Sequence, residues 1–184
     1  MLLVTFVVLA ALTVPLAGGR LAALADVRVQ LPWLLPAALV MQTAGIYLPG
    51  LPVTARIALQ VLSYPVAGLF LVRNRHLPGM LLVAAGGACN LLAMSVNGGV
   101  MPAAAAAAAA AGLPAGQAGY SNSAVLADPR LAFLGDVFAI PSSWPLANVF
   151  SPGDVLIALG VAWAMHRLAG SRLAPPWRAS LPGA

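Results

Sequence analysis

Five long apolar runs dominate the sequence and limit what this chain can fold into. They cover residues 1–17, 31–48, 54–72, 77–96 and 152–168. A helix needs roughly 20 mainly apolar residues to cross a hydrocarbon core about 30 Å thick. Charged residues make up only 7% of the chain, against about 25% in soluble domains. We therefore predict an all-α, polytopic membrane bundle of about five transmembrane helices, forming a single domain over residues 1–184.

The arginines predict how these helices are oriented. Seven of them fall on one side of a five-helix arrangement: Arg20, Arg28, Arg73, Arg75, Arg167, Arg172 and Arg178. Only Arg56 and Arg130 fall on the other side. Basic residues are enriched in cytoplasmic loops. We therefore predict a multi-pass protein of the bacterial cytoplasmic (inner) membrane, with its amino terminus outside and its carboxyl terminus in the cytoplasm.

One long connection, residues 97–151, would then be an external loop. It begins with the turn sequence Asn97-Gly98-Gly99. It continues into nine alanines at positions 103–111, between Pro102 and Gly112. Proline at the start and glycine just past the end are typical of a helix, so the loop is predicted to be partly helical. We interpret the alanines as a spacer and residues 112–123 as a polar loop.

Three polar side chains within the predicted helices fall at one depth. Gln42, Gln60 and Asn90 each lie about six residues, or roughly 9 Å, from the outer end of a helix. Polar groups inside a membrane are costly and often functional, but amides also join neighbouring helices by hydrogen bonds. Substrate binding and helix–helix bonding therefore both stay open. The small residues 86–88, beside Asn90, favour close helix packing.

Asp136 and Asp154 are the main candidates for chemistry. Asp136 follows Gly135 in the external loop, and Asp154 lies at the outer start of the last helix. If the loop folds back onto that helix, the two carboxylates meet and share one proton. One aspartate can then activate water while the other protonates the substrate, which is the chemistry of an aspartic peptidase.

Both aspartates also have a structural interpretation. Ser151, Pro152 and Asp154 have the spacing of an N-cap, an N1 proline and an acidic N3 residue, which is close to a capping box. A carboxylate at that position also suits the helix dipole. Asp136 after a glycine is equally a turn residue.

Four short motifs resemble motifs of other proteins, and the similarity covers most of the chain. They are Asn90-Leu91, Asn97-Gly98-Gly99-Val100-Met101-Pro102, Phe133-Leu134-Gly135-Asp136 and Ser151-Pro152-Gly153-Asp154. These motifs resemble a family of small bacterial multi-pass membrane proteins that is known only as a domain of unknown function. The resemblance implies a membrane location and supplies no activity.

A second resemblance covers residues 86–164. Asn90 late in a helix, Asp136 ahead of two apolar residues and Asp154 opening the last helix are similar in layout to lipoprotein signal peptidases. Those are membrane aspartyl peptidases that remove signal peptides from prolipoproteins, and the resemblance implies that the two aspartates are catalytic. The chain departs from that family at Ala93 and Met94, where an arginine is expected, and at Ser151, where an asparagine is expected.

The sequence leaves two classes of function open. The first is an aspartyl-peptidase-like membrane hydrolase, or an inactive relative, acting at the outer face with Asp136 and Asp154 as the catalytic pair. The residues predicted to orient its substrate are Asn90, Gln42, Gln60 and Ser151. The second is a non-catalytic membrane subunit or lipid-binding scaffold of a larger complex.

The expected partners follow from the membrane location. They are membrane lipid and either a membrane-anchored peptide substrate or partner membrane proteins. We predict no nucleic acid, because the arginines form no basic stripe. We also predict no metal and no cofactor, because the chain has no ligand cluster or phosphate-binding loop. His76 and His166, beside Arg75 and Arg167, are interpreted as interfacial residues.

Overall fold

The computed structural model describes residues 2–113 and 123–175, and it is mainly helical. The helices are α1 (Leu2–Leu16), α2 (Leu34–Tyr47), α3 (Val53–Arg73), α4 (Met80–Val96), α5 (Ala105–Ala110) and α6 (Pro152–Leu168). Two 3-10 helices cover Leu21–Asp26 and Ala132–Leu134. Four short strands are β1 (Met101–Pro102), β2 (Ser123–Ala124), β3 (Phe138–Ile140) and β4 (Asn148–Phe150).

The prediction of five transmembrane helices is wrong. Within the described residues only α3, with 21 residues and a mean hydropathy of 1.6, is long and apolar enough to cross a membrane. The helices α2, α4 and α6 have 14, 17 and 17 residues. At 1.5 Å per residue they extend about 21 to 26 Å, which is less than the hydrocarbon thickness of about 30 Å.

The helices α2 and α4 are shorter than their apolar runs because some apolar residues lie in the turns before them. Leu31 has a φ of 49°, and Gly79 has a φ of 80°. These left-handed conformations are incompatible with a continuing α-helix. The helices α2 and α4 therefore begin at Leu34 and Met80, three residues later than predicted in each case. The all-α part of the prediction is also incomplete, because the connection between α4 and α6 contains strands.

The long helices form two groups. Helix α2 packs along α3 as a hairpin, and α4 packs along α6, which also carries α1. Contact between α3 and α4, which joins the two groups, is less extensive. At the far end of α6, the buried His166 bonds to Thr13 of α1 and to Ser171. His166 is therefore a buried link between α1, α6 and the following turn rather than an interfacial residue.

Glycines bring α4 and α6 close together at two levels. A Cβ atom at Gly86 would collide with the backbone oxygen of Gly153, and one at Gly79 would collide with that of Gly160. Side chains at these positions would force the helices apart. The predicted role in close packing therefore holds for Gly86. It does not hold for Gly87, where no heavy atom lies within 4 Å of an added Cβ.

Short strands organise the connection between α4 and α6. Strands β1 and β2 pair in parallel, and β3 and β4 pair antiparallel, with Phe138 opposite Phe150. The predicted helix in the alanine run is confirmed as α5, which ends before Gly112 with its φ of 69°. Residues 114–122 of the predicted polar loop lie outside the described residues.

Candidate functional site

The capping box at the start of α6 positions Asp154. The Ser151 hydroxyl oxygen accepts a hydrogen bond of 3.0 Å from the backbone N–H of Asp154. In return, Asp154 Oδ2 accepts one of 3.0 Å from the backbone N–H of Ser151. Pro152 occupies the first turn, where a missing N–H is harmless. The structure therefore contains the cap that the Ser151–Asp154 spacing indicated.

Asn90 of α4 joins this cap from the neighbouring helix. Its Nδ2 donates a hydrogen bond of 2.8 Å to Asp154 Oδ1, and its Oδ1 accepts one of 2.8 Å from the Ser151 hydroxyl. Asn90 and Ser151 are both buried. Gly153 makes the approach feasible, because a Cβ atom there would collide with the Asn90 side chain. Three of the predicted site residues are thus brought together.

The short strands position Asp136 on the other side of the site. Its backbone N–H donates to the Pro102 oxygen at 2.8 Å, and its own carbonyl oxygen accepts from the Ala104 N–H at 3.0 Å. Gly135 permits this pairing, since a Cβ atom there would collide with the Pro102 oxygen. Strand β1 also pairs with β2, so Ser123 lies across it from Asp136 and donates a hydrogen bond of 2.5 Å to Asp136 Oδ2.

The two aspartates interact electrostatically. The Asp136 side chain is buried, with 6% of its surface exposed. Burial raises the pKa of Asp136 from 3.8 to about 6; the Ser123 hydrogen bond lowers it and the nearby charge of Asp154 raises it. A carboxyl group with this pKa is partly protonated near neutral pH. Both aspartates also interact electrostatically with the Tyr64 phenol of α3.

Gln42 and Gln60 belong to the other helix group. Gln60 is buried and lies against α2, with its Oε1 3.6 Å from the position of a Cβ atom at Gly45. Gln42 is partly exposed on α2. In the part of the chain that the structure describes, no hydrogen bond connects either glutamine to Asn90 or to the aspartates. Their proposed contact with a substrate stays a prediction.

Sequence reasoning missed two residues of the site. Ser123 and Tyr64 lie far from Asp136 and Asp154 in the sequence and belong to no recognisable motif. The β1–β2 pairing brings Ser123 to Asp136, and the packing of α3 against α4 brings Tyr64 to the site, where its hydroxyl lies 3.4 Å from Met94 Sδ. No local pattern in the sequence would have identified either one.

The arrangement contains two carboxyl groups in different environments: the buried Asp136, whose pKa is raised, and Asp154, which is held by hydrogen bonds. Asp136 can hold and release a proton. Asp154 accepts hydrogen bonds from two N–H donors, the Asn90 amide and the Ser151 backbone. Two carboxyl groups in different environments are the basis for dividing acid and base roles between them. The cap also shows that Asp154 has a structural role, whatever else it does.

The fold and the site define a mainly helical protein in which Asn90, Ser151 and Asp154 form a hydrogen-bonded polar cluster between α4 and α6, with the buried Asp136 nearby. A family of unknown function (DUF5317) matches residues 26–166, more than half of the 184 residues. The chain therefore belongs to the DUF5317 family. The matched range includes Asn90, Asp136 and Asp154.

The relatives supply no activity. An uncharacterized protein from Thermotoga maritima is 30% identical over 122 residues, which cover 64% of this chain and 71% of that protein. No solved structure matches. The expectation of an uncharacterised family is confirmed, and the likeness to lipoprotein signal peptidases rests on the sequence motifs alone.

Proposed function

We propose that this protein is a membrane hydrolase of the aspartyl-peptidase type, with Asp136 as the acid and Asp154 as the base. The observation that carries the proposal is that Asp136 is buried, with its pKa raised to about 6 mainly by that burial, and lies near enough to Asp154 to feel its charge. Asn90 and Tyr64 add a hydrogen-bonding amide and a phenol beside the pair. The proposed substrate is a membrane-anchored peptide.

The proposed acid and base roles define the chemistry. Asp154 accepts a proton from a water molecule as the water oxygen attacks the carbonyl carbon of the scissile peptide bond. Asp136 donates its proton to the carbonyl oxygen, which gives a neutral tetrahedral intermediate. The proton on Asp154 then passes to the leaving nitrogen as the carbon–nitrogen bond breaks, and Asp136 takes back the hydroxyl proton as the carbonyl re-forms. This is the division of roles that paired carboxylates support.

We further propose that the protein resides in the cytoplasmic membrane, with the Arg73 side in the cytoplasm and the aspartates toward the outer face. Only 17% of the α3 window that could span a membrane is buried within the protein, whereas a core helix of a soluble protein is mostly buried. Large apolar side chains elsewhere are also exposed, including Leu16 at 86% and Leu81 at 79%. Such exposure favours an apolar surrounding.

A cleavage assay with matched variants tests the hydrolase. The purified full chain in detergent is incubated with a diacylated prolipoprotein peptide, and the cleaved product is measured. Wild type is expected to cleave, while Asp136→Asn and Asp154→Asn each lose about a hundredfold or more, the usual range for an acid–base group. Asp128→Asn, which changes an exposed aspartate of the same connection, is the control and is expected to cleave as wild type does. No cleavage by wild type, or full activity in both variants, contradicts the proposal.

A second candidate function is a non-catalytic membrane subunit or lipid-binding scaffold. One observation favours it: both carboxylate oxygens of Asp154 already accept hydrogen bonds within the protein. In that case the cluster only holds α4 and α6 together. The cleavage assay separates the candidates: Asp154→Asn lowers stability in either case, because it disturbs the cap, but a scaffold shows no wild-type cleavage to lose.

A further inference from the structure

A groove separates α3 from α4, where the two helix groups meet. It encloses about 380 Å³, within the range of small-molecule sites. The residues that line it are Tyr64, Ala67, Gly68, Leu71, Val72, Arg75, Met80, Leu81, Ala84, Gly87, Ala88 and Leu91. The walls are almost entirely apolar, and Arg75 is the charged residue among them.

Two glycines keep the groove open. A Cβ atom at Gly68 or at Gly87 would meet no heavy atom within 4 Å. Both residues lie inside helices, Gly68 in α3 and Gly87 in α4. The protein's own described side chains therefore leave this space unfilled, although glycine is unfavourable within a helix.

The length of the groove matches one leaflet of a bilayer. Along α4 it extends from Met80 to Leu91, which is about 17 Å at 1.5 Å per residue. Half of a hydrocarbon core about 30 Å thick is close to this distance. An extended acyl chain is therefore the kind of molecule that fits its length and its apolar walls.

The charge at one end indicates the headgroup. Arg75 lies just beyond α3 and is exposed, and no described carboxylate pairs with it. Arg73 is close by in the sequence and adds to the positive charge. A guanidinium binds phosphate through charge-assisted hydrogen bonds, and anionic lipids are attracted to basic residues at a membrane surface.

We propose that this groove binds one acyl chain of an anionic membrane phospholipid, with the headgroup phosphate at Arg75 and the chain directed toward Tyr64. The binding rests on the proposed membrane location but does not depend on the hydrolase activity. Asp136 is not among the lining residues, so Asp136→Asn is expected to bind lipid as wild type does. Failure of the hydrolase and failure of lipid binding are therefore distinguishable.

Filling the groove tests the acyl chain. Delipidated full-length protein in detergent is mixed with dioleoyl phosphatidylglycerol, and the lipid bound per chain is measured by native mass spectrometry. Gly87→Phe is expected to weaken binding by about tenfold or more, because the excluded chain loses the burial of several methylene groups. Gly68→Leu fills the groove from the α3 side and is also expected to weaken lipid binding. Ala85→Phe, at an exposed position of α4 outside the lining, is the matched control and is expected to bind as wild type does.

Changing the charge tests the headgroup. Wild type is expected to prefer dioleoyl phosphatidylglycerol to dioleoyl phosphatidylcholine by about fivefold. Both lipids carry the phosphate, but the ammonium of phosphatidylcholine cancels its net charge, and the attraction of one basic residue for an anionic lipid is about 1 kcal/mol. Arg75→Gln is expected to remove most of this preference. Arg73→Gln, with the same loss of charge outside the lining, is expected to retain most of it.

Three results would overturn the proposal. The first is equal phosphatidylglycerol binding by wild type and both groove-filling variants. The second is no preference between the two lipids in wild type. The third is that wild type binds no lipid but forms a dimer or binds a peptide, and that Gly87→Phe abolishes this association. The groove would then hold a second copy or a protein segment.

Discussion

Asn90 of α4 donates a hydrogen bond of 2.8 Å to Asp154 Oδ1 in α6. The same amide accepts one from the Ser151 hydroxyl. One side chain therefore completes the cap of a neighbouring helix and crosslinks two helices that glycines hold in close contact. The proposed catalytic base is thus also part of the structural connection between α4 and α6.

Replacing Asn90 is expected to destabilise the protein. Asn90→Leu keeps a similar side-chain size but removes both hydrogen bonds, leaving the Ser151 hydroxyl and one Asp154 oxygen without this partner. The expected loss is about 3 kcal/mol in the free energy of unfolding, the sum of one neutral and one charged hydrogen bond. Denaturant unfolding in detergent measures it. Ala85→Leu on the exposed side of α4 is the control, and equal stability of the two variants would contradict these two hydrogen bonds of Asn90.

Asp136 is expected to make stability decrease as pH rises. Its pKa in the folded protein is about 6, above the ordinary 3.8. Between these values the native state holds a proton that the unfolded chain has released, so the free energy of unfolding falls with pH. This stabilisation is fully present below the pKa of the unfolded chain and is lost as the pH rises through the pKa of the folded protein. Its full size is about 3 kcal/mol in the free energy of unfolding.

Unfolding measured from about pH 4 to about pH 7 tests this linkage. Asp136→Asn is expected to remove the slope, because an amide does not titrate in this range. Asp128→Asn changes an exposed aspartate of the same connection and is expected to keep it. A slope that persists in Asp136→Asn would assign the pH dependence to another group.

Replacing the two adjacent glycines of α4 by alanine, one at a time, is expected to change the stability of the protein in opposite directions. Gly86→Ala places a methyl group against the backbone oxygen of Gly153 and against Ile157, and such overpacking costs about 1 to 3 kcal/mol. Gly87→Ala enters open space and is expected to stabilise the helix by up to about 1 kcal/mol. Thermal unfolding of the two variants gives the comparison directly. The same sign of effect in both would show that α4 does not face α6 through Gly86.

His166 is expected to hold α1 on α6. Its Nε2 lies 3.1 Å from Thr13 Oγ1, and its Nδ1 lies 2.7 Å from Ser171 Oγ. His166→Leu removes both hydrogen bonds from a buried place and is expected to cost about 2 kcal/mol. His76→Leu changes an exposed histidine and is expected to leave stability almost unchanged. Hydrogen exchange of the backbone amides in α1 provides a second measurement. Faster exchange in His166→Leu, but not in His76→Leu, would show that the lost stability lies in the packing of α1 on α6.

Much of the secondary structure could be predicted from local patterns. The apolar runs predicted α1, α2, α3, α4 and α6 to within a few residues, and Pro102 with Gly112 predicted α5. The Ser151–Asp154 cap was also predictable, because its hydrogen bonds join residues three positions apart. These features depend on near neighbours in the chain, which the sequence contains directly.

The number of membrane-spanning helices could not be obtained in this way. Apolar residues such as Leu31 look alike whether they lie in a helix or in the turn before it, so counting them made the predicted α2 and α4 too long. The left-handed φ of Leu31 and of Gly79 determines where α2 and α4 begin. Hydropathy alone does not report such backbone angles.

By itself, then, the sequence determined where helices form, which residue caps α6 and which two aspartates could meet. Only the tertiary structure decided that Asn90 reaches Asp154, that Ser123 reaches Asp136, and that Gly86 is packed while Gly87 opens into a groove. The physical reason is that helix formation and capping depend on contacts within about one turn. The site depends instead on strand pairing and helix packing between residues far apart in the chain.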